Sequence, residues 1–313
     1  MQSESFPLIS VVMATYNGEK YLSQQLDSLL AQTYPNFEII ISDDASIDST
    51  GSILERYRSL HSKIHVHCNQ ENLGFIKNFG RAISFSNGSL VALCDQDDVW
   101  HPEKLSSQFK ELGEAALTYC DAAICNDSLQ PLGKLVSTIS NCLDYNSCLQ
   151  QAVFCRIYGN TMLFRKNILE GAATFPACLP HDWWIAFLAS DRGGIRFCNQ
   201  VLVQYRQHEN NAIGAATGRG RKKSRQEKSA MKQKELNTIR QRMMLFYVTC
   251  SAEHHFEKKA LKLMNRSYTN FSISSNLLRL YCFLRYSNWL LAVKRRSTIR
   301  KFFFCLKMFI KVK

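Results

Sequence analysis

Apolar positions along the first hundred residues alternate between two periods. Leu8-Ile9-Ser10-Val11-Val12-Met13-Ala14 is a β-rich run that stops at the polar turn Thr15-Tyr16-Asn17-Gly18. Tyr21, Leu22, Leu26, Leu29 and Leu30 then recur at helical spacing until Tyr34-Pro35-Asn36 ends the helix. A second apolar run over residues 38–42 empties into Asp43-Asp44. Residues 48–60 read as a helix, 64–67 as a short strand, 75–86 as a helix and 90–94 as a strand, with Asn72-Leu73-Gly74 as a turn between. Strand, helix, strand with polar residues at successive strand ends predicts an α/β fold with a parallel sheet. Open sheets of this kind place ligands at the carboxyl ends of their strands.

The second hundred residues continue less regularly. A helix is expected over 102–114, strands over 116–124, 159–164 and 195–205, and a helix opening at Pro180-His181-Asp182-Trp183-Trp184; residues 126–150 read as loop. The last strand runs into Arg206-Gln207-His208-Glu209-Asn210-Asn211. Beyond Thr217 the composition changes, which divides the chain into a catalytic body over 1–217, a basic flexible loop over 218–235 and a basic amphipathic helical region over 236–313.

Charge sharpens that division. The net charge is +13, and residues 219–235 and 279–313 together hold +16, so the rest of the chain is near neutral. In the tail, Trp289, Leu290 and Leu291 precede Lys294, Arg295 and Arg296, and Phe302, Phe303, Phe304, Met308 and Phe309 interleave with Lys307 and Lys311. A helix of that composition can lie in an anionic membrane interface; it can equally pack on the body with a solvated basic rim. Nucleic-acid binding through the same bases is the reading from another class, opposed by the absence of any helix-turn-helix or zinc pattern. The expectation is therefore no nucleic acid. The twelve cysteines form no Cys-x-x-Cys pair and read as small core residues. With no positive n-region at the start and no run of about 20 apolar residues, a cytoplasmic protein, peripheral at the inner face of the membrane, is expected. The pattern leaves the oligomeric state open.

The candidate chemistry lies at Asp95-Gln96-Asp97-Asp98, where the apolar run Val91-Ala92-Leu93-Cys94 ends in three carboxylates within four residues. Crowded acids repel unless a cation neutralises them. Hard oxygen ligands suit Mg²⁺ or Mn²⁺, which keep one or two protein carboxylates and fill their shell with phosphate and water. A solvated acidic turn is the alternative that residues alone allow.

In chain order, Thr15-Tyr16-Asn17, Asp43-Asp44-Ala45-Ser46, Asn72-Leu73-Gly74, Asp95-Gln96-Asp97-Asp98, His181-Asp182-Trp183-Trp184 and Arg206-Gln207-His208 resemble the motifs of family-2 inverting glycosyltransferases of the GT-A fold. The last two most resemble bacterial rhamnosyltransferase-type enzymes of surface polysaccharide synthesis (lipopolysaccharide O-antigen or capsule). The resemblance implies a mixed, mostly parallel sheet flanked by helices, with a Rossmann-like nucleotide-binding half and a basic helical C-terminal region. It also implies metal-dependent transfer of one sugar from a nucleotide-diphosphate donor to a lipid-linked saccharide. The donor favoured is dTDP-rhamnose, and a UDP-hexose is the alternative. Under it, Thr15, Tyr16, Asn17 and Glu19 hold the nucleotide, Asp44 accepts from the imide of uracil or thymine, and Asn72, Gly74, Lys77 and Asn78 cover it. Asp95 meets the ribose or a metal-bound water, Gln96 belongs to the same donor-binding set, and Asp97, Asp95 and His208 hold the metal. Arg206 approaches the diphosphate, and Asp182 is the catalytic base. His181 stands where many relatives carry an acid, which leaves its role open. The chain lacks the tryptophan of the Gln-x-x-Arg-Trp motif of processive synthases at Gln204-Tyr205-Arg206-Gln207-His208.

Overall fold

A computed structural model describes residues 6–172, 175–208 and 225–309. The first half is the expected alternation: β1 (Ile9–Thr15), α1 (Leu22–Leu30), β2 (Phe37–Asp43), α2 (Thr50–Leu60), β3 (Ile64–Cys68), α3 (Phe75–Ser84) and β4 (Leu90–Cys94). β1 and β4 are apolar because helices cover both faces of the sheet they share. β1 pairs in parallel with both β2 and β4, aligning Thr15 with Asp43 and Met13 with Cys94. The turn at residue 15, the acids at 43–44 and the acids at 95–98 therefore leave the sheet along one edge.

The chain continues through β5 (Val99–Trp100), α4 (Lys104–Leu112), β6 (Leu117–Cys125), β7 (Pro131–Leu135), α5 (Val136–Ile139), β8 (Met162–Arg165), α6 (His181–Arg192) and β9 (Ile195–Arg206). The sheet order is β3-β2-β1-β4-β8-β6-β9-β5, with β7 on the side of β6. Pairing is parallel from β3 to β4 and between β6 and β9, and antiparallel where β5, β7 and β8 join. This is the mixed sheet that the resemblance implies.

The segment read as loop over 126–150 holds β7, α5 and a 3-10 turn at Cys148–Gln151. β7 is a solvent-exposed edge strand beside an irregular register in β6, so it lacks the apolar alternation that marks a half-buried strand. The two-residue β5 is also illegible in sequence, yet its antiparallel pairing with β9 sets Val99 opposite Gln204 and folds the 95–98 loop against the end of β9.

The C-terminal part is helical: α7 (Arg225–Thr249), α8 (His255–Ser267), α9 (Ile273–Arg285), α10 (Ser287–Leu290) and α11 (Thr298–Lys307). The loop expected over 218–235 has become α7 by Arg225, and residues 218–224 lie outside the described residues, as do Glu209, Asn210 and Asn211. These helices share a hydrophobic core with the body that includes Trp184, Phe187, Phe246, Leu261, Phe283, Leu290 and Met308. Asn141 is bonded to the Ala292 carbonyl at 2.9 Å, and Asp191 accepts from the Ser251 N–H. Arg279 is fully buried and donates to the Met308 and Ser267 carbonyls, so it belongs to the packing of the helices and not to a headgroup-facing rim. No helix among the described residues is long and apolar enough to cross a membrane.

Candidate active site

Four loops meet at the carboxyl edge of β1, β2 and β4, and their polar side chains mostly bind one another. Thr15 donates to Asp43 at 2.8 Å, and Asp43 also accepts from the Ser46 amide and hydroxyl. Asn17 stands at positive φ, donates its N–H to Ser46 and accepts from the Ile47 N–H. Glu19 accepts from the Ser49 N–H at the start of α2. Gln96 reaches across to the Tyr16 backbone, accepting from its N–H at 2.9 Å and donating to its carbonyl at 3.0 Å. A Cβ on Gly18 would stand 2.5 Å from the Gln96 Oε1, so glycine there admits this clamp.

Asp44 is buried and accepts from Asn69 at 2.7 Å, the Leu73 N–H at 2.8 Å and the Gly74 N–H at 2.9 Å. It does not cap α2; it folds the 72–74 turn onto the sheet. Gly74 holds φ +81 to present its N–H this way, a conformation costly for other residues. A carboxylate has about four acceptor positions, so Asp44 keeps room for one further donor. Asn78 is buried, accepting from Asn69 and donating to the Ser42 carbonyl. Tyr16 is 46% exposed, and Asn72 and Lys77 are exposed too.

The acidic loop is built differently. Asp97 and His208 meet at 2.8 Å, and both are largely buried. Asp98 is fully buried, accepting from the Arg206 N–H at 2.9 Å and from Asn160. Burial pushes the Asp95 carboxyl up to about 8, with the charges of Asp97 and Asp182 adding to it, and raises Asp98 strongly for the same first cause. Arg206 is buried and lies over the Tyr21 ring at 4.4 Å. Its guanidinium donates to the Asp97 carbonyl at 2.6 Å, to Gln24 at 2.7 Å and to the Asp127 carbonyl. Through these bonds its fork braces the loop that carries Asp97. Asp127, Gln24 and Asn160 give no motif signal in the sequence; only the fold brings them here.

These groups fit a divalent cation. Crowded carboxylates whose charged forms are disfavoured by burial and by each other are what a hard dication would stabilise, and Asp97 and His208 already converge. Asp95 does not join them in a closed three-ligand cluster; among the described residues only Cys148, Asp191 and Cys250 form one. Two protein ligands leave the remaining positions to phosphate and water, as Mg²⁺ commonly requires.

Asp182 sits in the first turn of α6, where it accepts from the Trp183 N–H at 2.7 Å. Burial raises its carboxyl to about 6. Its neighbours divide. Trp184 is core, stacked with Phe187 and Phe246, whereas Trp183 is half-buried, donates to the Gln151 carbonyl and carries the Arg242 guanidinium over its ring at 4.4 Å. His181 is buried and stacked on Phe79 at 4.1 Å with neither ring nitrogen bonded. Burial lowers its proton affinity to about 3, so it serves as a neutral aromatic plate between α3 and α6.

A nucleotide-binding type of sheet feeding acidic loops, beside a helix-borne, partly buried carboxylate, is the layout of a sugar-transferring enzyme. The family model of glycosyl transferase family 2 matches residues 10–170. The chain belongs to that family and is a glycosyltransferase. It is 31% identical over 219 residues to the dTDP-rhamnosyl transferase RfbG of Shigella flexneri, covering 65% of this chain and 74% of that one. It is 27% identical over 206 residues to the UDP-Glc:alpha-D-GlcNAc-diphosphoundecaprenol beta-1,3-glucosyltransferase WfgD of Escherichia coli, covering 64% and 77%. Its fold superposes on S. aureus TarS 1-349 in complex with UDP-GlcNAc with a TM-score of 0.60 at 16% identity, covering 96% of this chain and 80% of that one.

Proposed function

We propose that this glycosyltransferase moves one sugar, with rhamnose from dTDP-rhamnose favoured, from a nucleotide-diphosphate donor to a hydroxyl of a lipid-linked saccharide in bacterial surface polysaccharide synthesis. The observation that carries the reading is the partly buried carboxylate of Asp182, raised to about 6, on a helix start electrostatically coupled to the acidic loop. A base of that strength is ionised at pH 7 and still able to accept a proton from an attacking hydroxyl. Inversion places that hydroxyl on the face of the anomeric carbon opposite the leaving diphosphate, so Asp182 serves the acceptor while Asp97 and His208 serve the donor. A divalent cation held by Asp97 and His208, with Asp95 through water, would neutralise the charge that develops on the departing diphosphate.

The donor end is shaped by the clamped loops: Tyr16 offers an exposed ring for the base, and Asp44 one remaining acceptor for an imide N–H. Thymine and uracil share that imide edge, so a UDP-hexose is the second reading, supported by the likeness to a UDP-Glc transferase. Residues 1–217 form the catalytic part in this reading, and the basic region over 236–313 meets the cytoplasmic face of an anionic membrane.

The test is a thermal-shift screen against dTDP-rhamnose, UDP-glucose, UDP-GlcNAc and GDP-mannose, with and without Mn²⁺, on the wild type and Asp97→Ala. Stabilisation by one sugar nucleotide that requires Mn²⁺ and disappears in Asp97→Ala supports the reading and names the donor. A flat response to all four in the wild type overturns it.

A further inference from the structure

Between α7 and the segment that follows the 148–151 turn lies a cleft of about 420 Å³, lined by Val153, Phe154, Met231, Lys234, Glu235, Thr238, Ile239 and Arg242. That volume falls in the range of small-ligand sites. Its walls are apolar on the side of Val153, Phe154 and Ile239, and charged at Lys234, Glu235 and Arg242. Arg242 is unusual among these. It is only 7% exposed, its Nε has no hydrogen-bond partner, and no carboxylate among the described residues forms an ion pair with it. A buried guanidinium so placed has donor capacity that an anion would fill. It lies over the ring of Trp183, the residue next to Asp182, so one wall of the cleft touches the turn of α6 that carries the proposed base.

From the cleft an aromatic path leads outward. The Phe154 ring carries the Lys294 ammonium at 4.1 Å and lies 5.9 Å from Phe304, whose ring carries Arg296 at 5.2 Å. Phe304 belongs to α11, where Ile299, Phe302 and Phe303 are 68%, 50% and 55% exposed beside Arg300 and Lys301. Exposed aromatics among cations are the chemistry of a helix in the interface of an anionic bilayer.

Resting on the proposed lipid-linked acceptor, we propose that this cleft is the acceptor's phosphate subsite. Arg242 takes the phosphate oxygens of a prenyl diphosphate, Val153, Phe154 and Ile239 take its first carbons, and the path through Phe304 to α11 carries the lipid to the membrane. The cleft thereby links the proposed base to the bilayer, with the saccharide end delivered to Asp182. Glu235 on the rim opposes an anion, and Arg242 must outweigh it.

Isothermal titration of the full chain with farnesyl diphosphate, farnesol and inorganic pyrophosphate tests this without any turnover. The wild type should bind farnesyl diphosphate at least 10-fold more tightly than either fragment. Arg242→Gln should lose that advantage, and Arg242→Lys, which keeps the charge without the planar fork, should keep part of it. A donor thermal shift equal to wild type in both variants shows that they are folded. Equal farnesyl diphosphate affinity in wild type and Arg242→Gln overturns the subsite, as does a wild type that binds farnesol equally well. The donor screen is independent: a nucleotide-sugar response without Arg242-dependent lipid binding removes the subsite alone, whereas a flat donor screen removes the proposed donor and metal reading first.

Discussion

The two sides of the proposed reaction centre differ in how far their polar groups are tied to one another. On the donor side, Thr15, Asn17, Glu19, Asp44 and Gln96 each hold a hydrogen bond to another loop. Around Asp182, both nitrogens of His181, the Gln151 amide and the Arg242 Nε are buried without partners, and beneath the donor loops Ser42 Oγ and Asn69 Oδ1 are so too. Each such orphan costs on the order of 1–3 kcal/mol. The donor loops are tied to one another, whereas the Arg242 guanidinium over Trp183 keeps donor capacity that a ligand can satisfy. Tied donor loops and an unsatisfied guanidinium on the acceptor side suit an enzyme that meets a small donor from solution and a large acceptor from a membrane.

The largest expected effect falls on the acceptor side. Asp182→Asn keeps the shape of the side chain and removes the proton acceptor, so the transfer rate should fall about 10³-fold while the donor thermal shift is unchanged. The wild-type rate should climb with pH through about 6, because protonation below that value removes the base. The variant's residual rate should lack this limb. A variant that keeps more than about a tenth of the activity would assign the base elsewhere and erase the division of labour.

Next comes the hinge between the two sides. Arg206→Lys retains a charge but cannot serve the Asp97 carbonyl, the Asp127 carbonyl and Gln24 together. Donor affinity measured by titration should weaken about 10-fold, with a lower melting temperature in the absence of ligand. If affinity falls while melting is unaffected, Arg206 acts on the diphosphate directly, and the positioning role drawn from its burial is wrong.

His181 gives a smaller, pH-dependent effect. Its folded proton affinity is lowered to about 3 by burial, against about 6.5 in an unfolded chain. Between those values the unfolded chain binds more protons, so acidification destabilises the fold by up to ~1.4 kcal/mol per pH unit. His181→Phe keeps the stack on Phe79 and removes the titration. The variant should melt at or above the wild-type temperature at pH 7 and lose less stability by pH 5. A marked loss at pH 7 would mean that the ring nitrogens have a partner, and the acceptor side would then be less unsatisfied than the contrast holds.

The legibility of the chain follows the same line. The parallel half could be read because β1, β2 and β4 are covered on both faces and interrupted by amphipathic helices, so periodicity alone located them. Asp97 and His208 were brought together as the ordered motifs implied. The loop bonds of Arg206, Glu19 and Gln96 were not legible, because a polar residue at a strand end looks the same in sequence whether it meets a ligand or a neighbouring loop. β5, Asn160, Asp127 and Arg242 were invisible for another reason: each acts through a partner far along the chain, which no local pattern encodes.

The smallest effect probes the one kind of donor contact that hydrogen bonding has not already assigned. Lys77 is exposed on α3, the helix whose start is fixed by the bond from the Gly74 N–H to Asp44. A solvated ammonium near a diphosphate acts as a point charge that salt screens. Lys77→Ala should therefore raise the donor KM only about 3-fold at low salt, an effect that shrinks as ionic strength rises, with kcat unchanged. A rise in KM above about 10-fold that persists in high salt would mean that Lys77 is drawn out of water onto the phosphate when donor binds. The donor side would then close around its ligand, and pre-organisation would no longer separate it from the acceptor side.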